Sequence, residues 1–147
     1  MRLNSDLREF IELLNSRRVD YVIVGAHSLA FHGRPRYTGD LDILVSPEAE
    51  NAAKLVALLN EFGFAAAEFK ESDFTEDSQL IQLGRAPNRI DLLTSLTGVS
   101  NAEAFAGRVA AQIDDLPVFV LSKQNLIQNK RAVGRPQDLA DLAELEL

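Results

Sequence analysis

The sequence predicts an α/β (α+β) fold, in which a mixed β-sheet is flanked by helices. Short apolar runs of strand composition recur along the chain, at 21–25, 40–45, 89–94 and 116–121. The segments between them place apolar residues at helical spacing or carry helix start and stop signals. Because strands and helices are mixed along the whole chain, a single sheet covered by helices explains the pattern.

The first third of the chain predicts two helices and two strands in alternation. Apolar residues spaced three and four apart predict an amphipathic helix over 4–17. The run YVIVG at 21–25 predicts a short strand, and AHSLAFH at 26–32 predicts a short helix that Gly33 ends. The strand that follows, DLDILV at 40–45, contains two aspartates.

The middle of the chain opens with a helix-start signal. Ser46 predicts an N-cap and Pro47 the first helical position, and the helix is expected to continue to Gly63. Two strands, 64–69 and 79–84, are predicted on either side of an acidic turn.

The last third of the chain alternates in the same way. Ser122 is a predicted helix N-cap and Gly134 a helix stop, and Leu139, Leu142 and Leu145 predict one apolar face on the final helix. The predicted elements are strand 89–94, helix 101–110, strand 116–121, helix 122–132 and a last helix from Pro136.

The length of 147 residues suits one domain with a sizeable core. We predict a single domain over 1–147, with a core at about 18–121 and a helical C-terminal tail at about 122–147. Apolar runs are far too short to cross a bilayer, no signal peptide is recognisable, and the chain has no cysteine. These features predict a cytoplasmic protein without a membrane partner, disulfides or thiolate metal sites.

The charge pattern bears on the partners. The chain has 15 Lys and Arg against 22 Asp and Glu, a formal net charge of −7. Such an acidic chain is a poor binder of long duplex nucleic acid, whose affinity depends on phosphate neutralisation. Between 121 and 137, however, the ionisable residues are all basic. A local basic strip on an acidic protein suits a small polyanion.

Asp40 and Asp42 carry the clearest chemical signal. Side chains alternate along a strand, so these two carboxylates lie on one face, while Leu41, Ile43 and Val45 face the core. Adjacent carboxylates repel unless a cation neutralises them, and Mg²⁺ prefers hard oxygen ligands of this kind.

Asp91 repeats the arrangement on a later strand, between Ile90 and Leu92. If the two strands are neighbours, three carboxylates converge as in two-metal phosphoryl-transfer sites. The alternative is that the aspartates cap turns or pair with Arg36 and Arg89. Gly25 adds a second signal, since a strand ending in glycine before a helix exposes N–H groups to a phosphate.

Three phrases of the sequence resemble the nucleotidyltransferase superfamily, the group named for DNA polymerase beta. They are AFHGRPRYTGDLD at 30–42, NRIDLL at 88–93 and NKRAVGRPQDLADL at 129–142. Within that superfamily the chain is similar to small bacterial nucleotidyltransferases of unknown substrate, including those related to toxin–antitoxin systems. One departure is Ala26, where the superfamily pattern has glycine or serine.

The resemblance implies a minimal nucleotidyltransferase fold and a set of roles. Asp40, Asp42 and Asp91 would be the catalytic and metal-binding residues, holding Mg²⁺ or Mn²⁺ on a nucleoside triphosphate. Gly25 and Ala26 would contact the β- and γ-phosphates. The implied reaction transfers a nucleoside monophosphate to a hydroxyl acceptor and releases pyrophosphate.

Further candidates surround this set. Arg36 and Lys130 are predicted to bind the nucleotide, the alternative for Lys130 being an ion pair with Asp138 or Asp141 on the next helix. His27 and His32 are weaker candidates for acid–base chemistry, because a histidine at a helix end more often serves as a cap.

Three functions remain open from the sequence. The first is the transferase, whose acceptor is a small molecule, a protein, or an RNA brought by a partner chain. The second is a binding module of the same fold that acts with a partner chain, as in a toxin–antitoxin pair, which Ala26 favours. The third is a phosphohydrolase that uses water as the nucleophile.

Overall fold

The computed structural model describes residues 5–33, 40–85 and 89–146. It contains a six-stranded sheet in the order β3-β4-β2-β1-β6-β5. The strands are β1 Tyr21–Val24, β2 Asp40–Val45, β3 Leu80–Leu83, β4 Arg89–Leu93, β5 Val109–Ile113 and β6 Leu116–Val120. The helices are α1 Ser5–Ser16, α2 Gly25–Phe31, α3 Ala49–Leu59, α4 Asn101–Ala106, α5 Lys123–Val133 and α6 Pro136–Leu145.

The sheet is mixed, as the sequence predicts. β2 pairs with β1 antiparallel and with β4 parallel, and β6 pairs with β1 parallel. The outer strands β3 and β5 are both antiparallel to their neighbours. The expected α/β class is therefore confirmed, and the parallel pairing of β2 with β4 is the feature that matters most for the site.

Helices cover both faces of the sheet. One core cluster joins α1 and α3 to the side chains of Leu41, Ile43 and Val45 on β2 and of Ile90 and Leu92 on β4. These are the residues that the alternation pattern places inward. A second cluster on the opposite face joins α2, α4, α5 and α6 to β1 and β2. In the described part of the chain, no helix combines the length and apolar character of a membrane span.

Two predicted elements are wrong. The segment 64–69 is not a strand but contains a 3₁₀ turn over Ala65–Ala67, which ends where Glu68 adopts a left-handed conformation with φ of 53°. Its three alanines lack the branched side chains that favour strands. The predicted helix 101–110 ends at Ala106, because Gly107 is its C-cap, and the chain continues as β5.

Two details of the helices also differ from prediction. α3 begins at Ala49, with extended Glu48 as its N-cap, so Ser46 and Pro47 precede the helix. The Ser46 N–H instead donates to the backbone carbonyl of Asp20, which extends the strand pairing. On α6 the predicted apolar face is wrong for Leu139, which is 52% exposed.

Candidate active site at the paired ends of β2 and β4

The parallel register of β2 and β4 brings the three predicted carboxylates to one place. Asp42 lies directly opposite Asp91, and Asp40 lies directly opposite Arg89. Since side chains alternate along each strand, all four lie on the same face of the sheet. The structure therefore confirms that the two strands are neighbours and that Asp40, Asp42 and Asp91 converge.

Asp42 is the most perturbed carboxyl of this group. Its pKa is raised to about 7, chiefly by burial and also by the nearby carboxylates of Asp91 and Asp40, while Arg89 opposes the shift. Asp42 also forms a side-chain hydrogen bond with Asp91. A proton shared between two buried carboxyls relieves their repulsion. Replacing that proton by a cation is the chemistry for which such a pair is suited.

Arg89 is the second group that neutralises the site. Its Nη2 donates to Oδ2 of Asp40 at 2.6 Å and to Oδ2 of Asp91 at 3.2 Å, and its Nε donates to Oδ1 of Asp91 at 3.0 Å. Pairing of the aspartates with Arg89, which the sequence leaves open as an alternative, is thus present. Across the described ranges, no three His, Cys, Asp or Glu side chains form a ready metal cluster.

The donor set nevertheless fits a hard divalent cation. Asp42 and Asp91 lie side by side, and their oxygens are hard ligands. Asp40 and Asp91 already bind one positive charge, the guanidinium of Arg89. The identity of a metal ion and its ligands stays a prediction.

Position 25 requires a glycine because Asp42 leaves no room there for a side chain. Its φ is +66°, in the left-handed region, and a Cβ built on it would overlap Oδ2 of Asp42. The turn from β1 into α2 therefore brings main chain directly against the carboxylate. Ala26 follows at the start of α2 and is 8% exposed. The proposed phosphate contacts of both residues stay predictions.

His27 is buried on the first turn of α2. Its burial lowers its pKa, which a hydrogen bond with the backbone of Asp40 partly opposes, so the ring is neutral at neutral pH. Nδ1 has no hydrogen-bond partner within the described residues. The hydrogen bond with Asp40 links α2 to the first residue of β2.

His32 has a structural role as well. It is the C-cap of α2, and its Nε2 lies 2.7 Å from the backbone carbonyl of Leu121. This contact ties the end of α2 to the end of β6. His32 therefore occupies the C-cap position that the alternative to acid–base chemistry predicts, while its side chain contacts Leu121.

Lys130 lies in a buried ion-pair cluster. Its Nζ donates to Oδ1 of Asp138 at 3.3 Å and to Oδ2 of Asp141 at 3.0 Å, and all three side chains are almost fully buried. Arg135 adds a second cation, which holds the pKa of Asp138 at about 2. The ion-pair alternative for Lys130 is therefore present, and its contact with a nucleotide stays a prediction.

We expect Lys130→Ala to lower the free energy of unfolding by about 3–5 kcal/mol, because it leaves buried carboxylates without their central cation. Thermal or denaturant unfolding checks this. Lys123→Ala, which removes an exposed lysine at the start of the same helix, is the matched control and should cost less than about 0.5 kcal/mol. Equal losses for the two variants would contradict a structural role for the buried cluster.

Two segments that precede the site strands in the sequence lie outside the described residues. Arg36 falls in 34–39, which directly precedes β2, and 86–88 directly precedes β4. The predicted role of Arg36 in nucleotide binding is therefore neither supported nor contradicted. The sequence predicts Arg89 only as a possible partner for the aspartates. Its bridging position follows from a strand register that the sequence does not display.

Comparison with known proteins agrees with this geometry at the level of the fold. No protein-family model matches the chain, and no curated protein matches it in sequence. A protein from Thermotoga maritima assigned as a nucleotidyltransferase superposes with a TM-score of 0.62 and 18% identity, over 94% of this chain and 88% of that one.

Two further solved structures are similar. ANT(2″)-Ia in complex with adenylyl-2″-tobramycin gives a TM-score of 0.60 and 13% identity, over 95% of this chain and 84% of that one. An antigenic nucleotidyltransferase-like protein from Paracoccidioides brasiliensis gives a TM-score of 0.53 and 15% identity, over 97% of this chain and 76% of that one. The chain therefore shares its fold with these three solved structures.

Proposed function

We propose that this protein is a nucleotidyltransferase that moves a nucleoside monophosphate from a nucleoside triphosphate to a hydroxyl acceptor. The observation that carries the proposal is the direct pairing of Asp42 with Asp91 across β2 and β4, beside Asp40 and against the main chain of Gly25. In a nucleotidyltransferase fold, this places converging carboxylates next to a strand–helix turn suited to phosphate.

The positions of the residues support the roles proposed for them. Asp40, Asp42 and Asp91 would hold Mg²⁺ or Mn²⁺, which when bound neutralises the triphosphate and orients it. The main chain at Gly25 and Ala26 would contact the β- and γ-phosphates. The acceptor oxygen forms a bond to the α-phosphorus while the bond to the bridging oxygen breaks, and pyrophosphate leaves. Asp91 takes the proton from the attacking hydroxyl.

The acceptor is proposed only by class. The fold neighbour solved with adenylyl-2″-tobramycin holds an adenylylated small molecule. The chain carries a net charge of −7, which disfavours a long polyanionic acceptor that binds without help. A small molecule, a protein, or an RNA brought by a partner chain fits these features.

A second candidate is a binding module of the same fold that acts with a partner chain, as in a toxin–antitoxin pair. Two observations favour it: Arg89 already pairs with Asp40 and Asp91, and Ala26 replaces the usual glycine or serine. Such a module needs neither a metal nor transfer.

The fate of a labelled phosphate separates the candidates. The protein is incubated with each nucleoside triphosphate labelled on the α- or the γ-phosphate, with Mg²⁺ and a mixture of small-molecule, protein and RNA acceptors. Transfer puts the α-label on an acceptor and the γ-label in pyrophosphate. Hydrolysis leaves the α-label in free nucleotide. An unchanged triphosphate with every acceptor class would contradict the transferase and favour the binding module.

A further inference from the structure

The guanidinium of Arg89 lies across the carboxylate edge of the sheet. Its three hydrogen bonds occupy one oxygen of Asp40 and both oxygens of Asp91, at 2.6, 3.0 and 3.2 Å. The pairing of β2 with β4 fixes the position of Arg89, which lies opposite Asp40 on β2 and two residues before Asp91 on β4. It follows that Arg89 uses the lone pairs that a cation at this site would need.

The guanidinium of Arg89 is placed so that it can move away from the carboxylates into solvent. Its side chain is 32% exposed, whereas that of Asp91 is 9% exposed. Withdrawal of the guanidinium therefore moves a solvent-accessible group and disturbs neither core cluster. Without a cation, the three carboxylates would repel one another in a partly buried setting, which is the reason for a resident counter-charge.

We propose that Arg89 is an exchangeable counter-ion, which occupies Asp40 and Asp91 in the protein alone and must withdraw before a divalent cation binds there. The inference rests on the proposed function, since the cation belongs to the nucleotide reaction. Once withdrawn, the guanidinium fork remains next to the carboxylates and matches the oxygens of a phosphate. Arg89 is thus a positioning residue that couples metal entry to triphosphate binding.

The test measures binding of the metal alone to the whole chain, without nucleotide. Free Mn²⁺ is followed by electron paramagnetic resonance and Mg²⁺ by calorimetry, for wild type, Arg89→Gln and Arg89→Lys. Arg89→Gln is expected to bind either ion about tenfold more tightly, because the carboxylates no longer have to be freed from the guanidinium. Arg89→Lys should lie between the two, since a lysine is a single point charge that cannot bridge both carboxylates.

Arg85→Gln is the matched control. It removes the same charge from an exposed residue just after β3, and metal affinity should stay within about twofold of wild type. A metal affinity of Arg89→Gln that equals or falls below wild type would overturn the proposal. If Arg89→Gln does not fold, as judged by circular dichroism, the test rests on Arg89→Lys. Tighter metal binding than wild type would support the proposal, and equal or weaker binding would overturn it.

The outcome can be separated from that of the proposed function. Unchanged metal affinity in Arg89→Gln together with α-label transfer by wild type would overturn the counter-ion role and leave the transferase intact. Tighter metal binding in the variant without transfer in any assay would support the exchange and contradict the transferase. Absence of metal binding by both wild type and Arg89→Gln would overturn the exchange.

Discussion

In the absence of metal at pH 8, Asp42→Asn is expected to be more stable than wild type, by up to about 4 kcal/mol in the free energy of unfolding. The reason is the raised pKa of Asp42, about 7 in the folded protein against an ordinary value of 3.8. Asparagine has nearly the same shape as the protonated aspartic acid and carries no charge at any pH. The variant therefore removes a carboxylate that the fold disfavours.

The sign of the pH dependence follows from the same shift. Wild type binds the Asp42 proton more tightly when folded, so this contribution is fully present below about pH 4 and is lost as the pH rises to about 7. The free energies of unfolding of wild type and Asp42→Asn, measured across this pH window, should diverge as the pH rises, with wild type becoming less stable relative to the variant. Asp77→Asn, which neutralises an exposed aspartate, controls for net charge. Parallel curves for wild type and Asp42→Asn would contradict the shift.

Gly25→Ala is expected to lower the free energy of unfolding by about 2–4 kcal/mol and to abolish nucleotide binding. Two costs combine. An alanine is strained at a φ of +66°, and its Cβ would overlap Oδ2 of Asp42. The carboxylate must then move away from Asp91, which breaks the paired arrangement. Denaturant unfolding and a nucleotide-induced change in melting temperature measure the two effects.

Gly134→Ala separates strain from overlap. Gly134 has nearly the same φ, +67°, but a Cβ there would lie an ordinary 3.7 Å from the backbone oxygen of Arg131. Its substitution should cost only the backbone strain, about 1 kcal/mol. In an Asp42→Ala background, the excess cost of Gly25→Ala should shrink. An excess that persists in that background would show that the overlap with Asp42 is not its cause.

The strands β2 and β4 can be predicted from the sequence, because apolar and charged residues alternate along the first part of each. β2 and β4 are apolar on the side that faces α1 and α3, and they carry aspartates on the other. That pattern predicts both the strands and the shared orientation of Asp40 and Asp42. Convergence with Asp91 depends on the parallel register, which is tertiary information.

The errors have local causes. β5 reads VAAQI, in which two alanines weaken the strand signal, and its hairpin to β6 turns through Asp114 and Asp115, both left-handed with φ of 52° and 64°. This geometry usually takes asparagine and glycine, so the two aspartates give no clear hairpin signal. The sequence therefore gives little indication that the helix ends at Gly107 and that a strand follows it.

The last helix shows why an apolar pattern alone can mislead. Its leucines at positions 139, 142 and 145 suggest a buried stripe, yet Leu139 is 52% exposed while Asp138 and Asp141 are buried. The two aspartates face inward because Lys130 lies on the neighbouring helix α5. The apolar pattern of one helix cannot predict a compensating charge that another helix supplies.

The central claim is that Asp40 and Asp42 bind a nucleoside triphosphate together with a divalent cation. Its most direct test is the melting temperature of the protein with each nucleoside triphosphate, with and without Mg²⁺, for wild type and Asp40→Asn/Asp42→Asn. We predict a Mg²⁺-dependent stabilisation by at least one triphosphate, about 2.7 kcal/mol at a hundred times its Kd, that is absent from the double variant. No stabilisation by any triphosphate, or equal stabilisation of both proteins, would contradict the claim.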